Sequence, residues 1–372
     1  TATSNADGNG YGAFHTAPPS GFLALCTANL PEPTISPNSD TQADNHFDTV
    51  LYTGNGGDKT ISGLGFQPDW VWSKSRSLAQ NHHTHDSSRG VENRLTINTT
   101  DQEYSDGELK TFTSDGFTFD TAGATNTNGS TNVAWCWKAN GGTTVTNEDG
   151  SIDSTVQANT DVGFSIVTAT SPSSGTWSFG HGLSKKPDMI IQKYRSGASR
   201  WTTWHNILTS GQYLGLNESN AIRSSGTPFN FNITDSVIGG NINYDNGSQT
   251  VVYYVFHSVE GYSKMGSYTA NNSADGPFVY LGFRPAWVMF KDTTNTSAWI
   301  IKDSVRGTVN PNLPHLAVHT SVAEGSTADC DFLSNGFKIR QADAGISFAN
   351  KASATMIYMA FAEAPFKYAN AR

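Results

Sequence analysis

The stretch Gly63-Leu64-Gly65-Phe66-Gln67-Pro68-Asp69-Trp70-Val71-Trp72-Ser73-Lys74 decides the reading of this chain, because it returns 217 residues later as Tyr280-Leu281-Gly282-Phe283-Arg284-Pro285-Ala286-Trp287-Val288-Met289-Phe290-Lys291. A weaker copy, Gly182-Leu183-Ser184-Lys185-Lys186-Pro187-Asp188-Met189-Ile190-Ile191-Gln192-Lys193, follows the first by 119 residues. Every copy places Leu four residues before the Pro and Lys six residues after it. Other segments keep the same register. Asp86-Ser87-Ser88-Arg89-Gly90 matches Asp303-Ser304-Val305-Arg306-Gly307, and Arg94-Leu95-Thr96-Ile97-Asn98 matches Tyr213-Leu214-Gly215-Leu216-Asn217. The copies close on Ala134-Trp135-Cys136-Trp137, Tyr253-Tyr254-Val255-Phe256 and Tyr358-Met359-Ala360-Phe361. Ordered matches at fixed offsets mark three homologous modules of roughly 100 residues.

Within each module the apolar period is two. Short runs such as Trp70-Val71-Trp72 follow a Pro, and Asp115-Gly116 and Asn335-Gly336 separate runs of β-formers as hairpin turns do. Residues 352–363 are rich in Ala and Met, but their match to Trp135-Cys136-Trp137 predicts a strand. The expected fold is all-β: three tandem antiparallel β-sandwiches, jelly-roll or concanavalin-like, set in a row after an extended leader. The expected boundaries are a leader at 1–46, sandwich one at 47–141, a polar linker at 142–161, sandwich two at 162–259 and sandwich three at 260–372.

Composition excludes several functions. The 372 residues carry 23 Lys+Arg against 32 Asp+Glu, a net charge of -9, and only 15% are charged, against about 25% in ordinary soluble domains. An acidic, charge-poor surface suits neither nucleic acid nor anionic membrane. No stretch approaches the ~20 apolar residues of a membrane-spanning helix. The chain opens Thr1-Ala2-Thr3-Ser4, without an initiator Met or a signal-peptide pattern, and reads as processed or truncated. Cys26, Cys136 and Cys330 are odd in number and far apart, so free thiols are expected rather than a zinc site or disulfide framework.

Candidate chemistry is sparse. In Asn81-His82-His83-Thr84-His85-Asp86, alternation along a strand puts His83 and His85 on one side, with Asp86 beside them as a third candidate metal ligand. The Asp-Ser-x-Arg-Gly element reads as a turn in which Asp accepts hydrogen bonds from the Arg or the backbone. Asp69 and Asp188 follow the shared Pro, but module three has Ala286 there, so a hydrolytic carboxylate pair is not expected. Neither a G-x-S-x-G element nor a phosphate-binding loop occurs, and no cofactor is expected. The Trp-rich strands read as core, whereas Trp177, Trp201, Trp204 and Trp299 lie nearer polar loops and are the candidate ligand-stacking residues.

The leader reads Gly12-Ala13-Phe14, then Ala17-Pro18-Pro19-Ser20-Gly21-Phe22-Leu23-Ala24-Leu25-Cys26-Thr27-Ala28-Asn29-Leu30-Pro31. It resembles the segment closing a SPRY-like domain in virion proteins of tailed bacteriophages, especially phages of marine bacteria and cyanobacteria. Leu51-Tyr52-Thr53-Gly54-Asn55-Gly56, Gly65-Phe66-Gln67-Pro68-Asp69, Ser114-Asp115-Gly116-Phe117 and Asp303-Ser304-Val305-Arg306-Gly307 are similar to the uncharacterised repeat module found downstream of it. The resemblance implies a phage particle component, commonly a tail fibre or structural protein, made in the host cytoplasm and residing on the virion surface. It supplies no catalytic residues, and no enzymatic activity is expected. The implied partners are other virion proteins, further copies of the chain (a trimer fits) and host surface polysaccharide. The leading expectation is a tail-fibre or receptor-binding component touching host glycans through weak multivalent contacts. The alternatives are a structural capsid or tail decoration protein and a polysaccharide depolymerase.

Overall fold

The computed structural model describes residues 4–26, 29, 35, 41–120, 123–173, 175–224, 232–241, 248–342 and 349–363. Residues 27–28 and 30–31 of the leader motif, and 364–372 of the third module, lie outside the described residues. The chain is built from antiparallel strands, and no described helix is long and apolar enough to cross a membrane.

Each copy makes one large and one small sheet. In the first, six strands lie in the order Phe47–Thr53, Thr131–Trp137, Trp70–Ser75, His83–Asp86, Asn93–Thr96, Tyr104–Ser105. The small sheet is Lys59–Ser62, Gly116–Phe119, Leu109–Thr113. The third copy repeats this arrangement, with Thr355–Ala362 occupying the place of Thr131–Trp137 as an all but wholly buried strand. Two-sided burial explains why these strands are apolar at nearly every position. One side chain faces the small sheet and the next faces a neighbouring copy. Val71, Ala134 and Cys136 fill the interior of the first sandwich with Ile61, Leu109, Phe117 and Phe119, while Trp70, Trp72, Trp135 and Trp137 point away from it into a core shared by all three copies.

The all-β sandwiches are those expected, and the shared core adds that they close on one another instead of standing in a row. Trp70 stacks on Tyr254 of copy two at 4.3 Å between ring centroids, Phe47 stacks on Phe361 of copy three at 5.0 Å, and Phe256 meets Phe361 at 6.1 Å. Every copy touches both others, so the chain closes into a ring. The reason is area: four tryptophans on one face of one sheet cannot remain in water, and only facing copies can cover them.

The linker expected at 142–161 is corrected. Val145–Asn147 and Ser154–Asn159 are strands that extend the second large sheet to eight. Val145–Asn147 is polar as the exposed edge of that sheet, whereas Gln157 on the next strand is buried and donates to Ser87 and Ser88 of copy one at 2.9 and 2.8 Å. Asp69 anchors the chain leaving copy one, accepting hydrogen bonds from the backbone N–H groups of Ala139 (2.7 Å), Gly141 (2.9 Å) and Gly142 (2.8 Å). Asp188 does the same at the exit of copy two, accepting from Ser258 N–H at 2.7 Å. At the corresponding place in copy three, where Ala286 replaces the Asp, an Arg284–Glu363 ion pair at 2.6 Å holds the outgoing strand.

Candidate functional site

The residues repeated between copies meet at the seams, where they form a cycle. His82, Trp201 and Trp299 occupy one position in the three copies. Trp201 Nε1 of copy two donates to the Thr96 carbonyl of copy one at 2.9 Å, and Trp299 Nε1 of copy three donates to the Gly215 carbonyl of copy two at 2.8 Å. His82 Nε2 of copy one closes the ring against the Ala317 carbonyl of copy three at 3.2 Å. Its Nδ1 accepts from Trp72 Nε1 at 3.0 Å, which leaves the proton on Nε2 to donate. Burial holds the His82 imidazole neutral, well below its ordinary pKa.

Above this cycle lie buried charges. The Asp86 carboxylate accepts from Arg89 Nε at 2.5 Å and from the Tyr254 hydroxyl of copy two at 2.7 Å. Arg89 continues to Glu103 at 2.6 Å, and Glu103 pairs with Arg195 of copy two at 2.8 Å. The next seam repeats the motif. Asp303 accepts from Arg306 Nε at 2.5 Å and from Trp135 Nε1 of copy one at 3.0 Å, and Glu324 lies between Arg306 at 3.0 Å and Arg76 of copy one at 2.8 Å. Although burial works against ionisation, the Arg76 and Arg306 guanidiniums hold the Glu324 carboxyl below its usual range. In copy two, His205 and Leu208 replace Asp and Arg, and Met359, which has no donor, stands where copies one and two present Trp135 and Tyr254. Donor and acceptor are lost together, so neither an Asp carboxylate nor a Trp or Tyr donor is left facing the other's empty place.

The sequence-based site residues therefore have other placements. Trp177 (3% exposed), Trp201 (0%), Trp204 (8%) and Trp299 (1%) are core residues and offer no ring face to a ligand. Their polar neighbours in sequence are the turns that end buried strands. His83 and His85 do share one side of their strand, facing Glu108, but Asp86 points oppositely into the seam. Strand alternation separates the three. His83 Nδ1 meets Glu108 Oε2 at 2.5 Å, and Thr125 Oγ1 donates to Glu108 Oε1 at 2.9 Å. Against the penalty of burial, His83 holds the Glu108 carboxyl down to about 2, whereas burial takes His85 down to about 3. Among the described residues no group of three or more His, Cys, Asp or Glu is arranged to hold a metal ion. Among the cysteines, Cys136 and Cys330 are buried free thiols and Cys26 is a half-buried one.

A concavity opens where the third copy departs from the other two. Between Asp303 and Pro314 the chain is four residues longer than between Asp86 and Asn93. The extra loop walls a cleft of about 330 Å³ with Val309, Pro311 and Leu313 on one side and Glu324 and Ser326 on the other. Val309 is 70% exposed. The size suits one small group. The Glu324 carboxylate lies between two guanidiniums, so it can accept hydrogen bonds but is poorly placed to take a proton.

Fold and seams together define an all-β protein whose three copies make one body around a common core. Residues 42–365 match, as one stretch, the family described as a domain of unknown function, DUF7483, and the chain belongs to that family. No curated protein matches it. A single match spanning all three copies accords with their shared core.

Proposed function

We propose that the protein is a bacteriophage virion appendage component, a tail fibre or receptor-binding part that contacts host surface glycans. One observation carries this reading. The side chains that recur between copies lie in the seams and the sandwich interiors, whereas the outer faces and the loop inserted in copy three differ, so the ring reads as a scaffold with a varied outside. The leader's resemblance to phage virion segments and the Thr/Ser/Asn/Gly-rich, charge-poor surface support the same reading. A second reading, a structural decoration protein, draws support from the leader, where Phe22, Leu23 and Leu25 are 69%, 47% and 102% exposed and suit docking against another particle protein. The deciding experiment is binding of the fluorescently labelled protein to susceptible and resistant host cells, with competition against phage adsorption. Selective binding that blocks adsorption is expected. Its absence in a folded sample removes the receptor reading and leaves the structural one.

A further inference from the structure

The three small sheets have the same inner faces and different outer ones. Pairing registers align them residue by residue. In copy one the outward rows are Thr60, Thr118, Thr111 and Ser62, Gly116, Thr113. In copy three they are Phe278, Lys338, Asp331 and Tyr280, Gly336, Leu333. In copy two the first row is Ser178, Gly239, Asn232. Facing inward, Ile61, Phe117 and Phe112 answer Val279, Phe337 and Phe332.

The hydroxyl-bearing outer face of copy one shows that this sheet folds without outward aromatics. The rings of copy three are therefore not required by the fold. Phe278 is 45% exposed and Tyr280 60% exposed. They stand two residues apart on one strand, about 7 Å along it. Tyr280 faces Gly336 across the pair, and the Phe278 ring leans over that glycine, so the two rings lie side by side on the outer face. Lys264 Nζ donates to the Tyr280 carbonyl at 2.8 Å and lies 5.4 Å from its ring centroid, which fixes the strand edge. Beside the rings, Lys338 pairs with Asp275 at 2.7 Å and Arg340 with Asp331 at 3.2 Å. In each pair one partner is exposed, Asp275 and Arg340, and the other half-buried, so a donor stands next to an acceptor at the surface, which is what two vicinal hydroxyls require, and an aromatic face attracts the polarised C–H groups of a sugar ring.

We infer that the outer face of the third small sheet, with Phe278 and Tyr280 as stacking platforms and the Lys338–Asp275 and Arg340–Asp331 pairs as hydroxyl-binding groups, is a binding site for a neutral polysaccharide. This deepens the glycan-contact reading and rests on it, yet the two can fail separately. The test is affinity electrophoresis of the whole chain through gels containing a glucan, a mannan or a galactan. The comparison is with Phe278→Thr/Tyr280→Ser, which carries the residues that copy one has at these positions. The wild-type chain is expected to be retarded by at least one polysaccharide. The double variant, with an unchanged unfolding midpoint, should bind at least about tenfold more weakly, the scale of one lost ring contact. A second variant, Lys338→Thr, is expected to weaken retardation without touching the rings. Retardation by none of the three gels, or equal retardation of wild type and double variant, overturns the assignment. So does sedimentation showing that the rings mediate pairing between copies of the chain. If wild type and double variant bind host cells alike, the platform fails while the receptor reading stands. If retardation depends on the rings but cells are not bound, the platform stands and the receptor reading fails.

Discussion

Asp86 shows how a single residue is fixed by its neighbours on another copy. Its carboxylate and Arg89 are both wholly buried, and Tyr254 reaches it across the seam. Asp86→Ala takes the acceptor from Arg89 Nε and from the Tyr254 hydroxyl, while Glu103 still pairs with the guanidinium, so the cost should stay at or below the low end of the about 3–5 kcal/mol of a fully broken buried pair. Copy two suggests the remedy, since it has His205 and Leu208 at these positions. Asp86→Ala combined with Arg89→Leu should recover part of the loss, and urea unfolding of the two variants measures it. A double variant no more stable than the single one would show that the Asp–Arg pair is not the source of the cost. The sequence revealed the recurrence of Asp-Ser-x-Arg-Gly and its turn, but not that its carboxylate faces another copy's Tyr or Trp. Strand alternation was legible for His83 and His85, yet it placed Asp86 on the opposite face, so the expected metal triad does not assemble.

At the scale of the element, the strand after the shared Pro carries a lysine whose recurrence now has a physical account. Lys193 Nζ donates to the Thr100 carbonyl of copy one at 3.1 Å and to Ser199 at 2.7 Å; Lys291 Nζ donates to the Ser219 carbonyl of copy two at 3.0 Å and to Ser297. Lys74 turns to its own loop, at Ser75 and Leu78. All three are fully buried. Burial draws the ammonium of Lys74 and Lys291 down to about 8 and that of Lys193 to about 7, against roughly 10.4 in the unfolded chain. Between those values the unfolded state holds more protons than the native one, so these groups make stability rise with pH, and below that window their penalty is fully present. Buried Cys136 and Cys330 act oppositely once unfolded thiols ionise, so the comparison must be between variants. The triple variant Lys74→Met/Lys193→Met/Lys291→Met should show a less positive slope of the urea midpoint from pH 7 to about 9.5 than wild type. Identical slopes would mean the lysines keep their ordinary affinity for protons.

For the whole molecule, the ring predicts one cooperative transition. Scanning calorimetry should find a single peak whose calorimetric and van't Hoff enthalpies agree, because no copy can leave without exposing the aromatics of the other two. An isolated first copy, residues 47–141, should fail to fold, since Trp70, Trp72, Trp135 and Trp137 would have no cover. A well-dispersed spectrum from that fragment, or three separate transitions in the full chain, would return the molecule to independent sandwiches. The β class, the three copies, their common register and the strand at 355–362 were legible in the order of residues, because period-two patterning, turn residues and fixed offsets are local or repeated signals. Long-range packing alone settles that the copies close on one another, that Trp201 and Trp299 are seam donors rather than ligand platforms, and that the polar stretch near 145–159 pairs as the outermost two strands of the second large sheet. An apolar strand face looks alike in sequence whether it covers its own partner sheet, a neighbouring copy or a ligand. The difference lies in what approaches it from far along the chain.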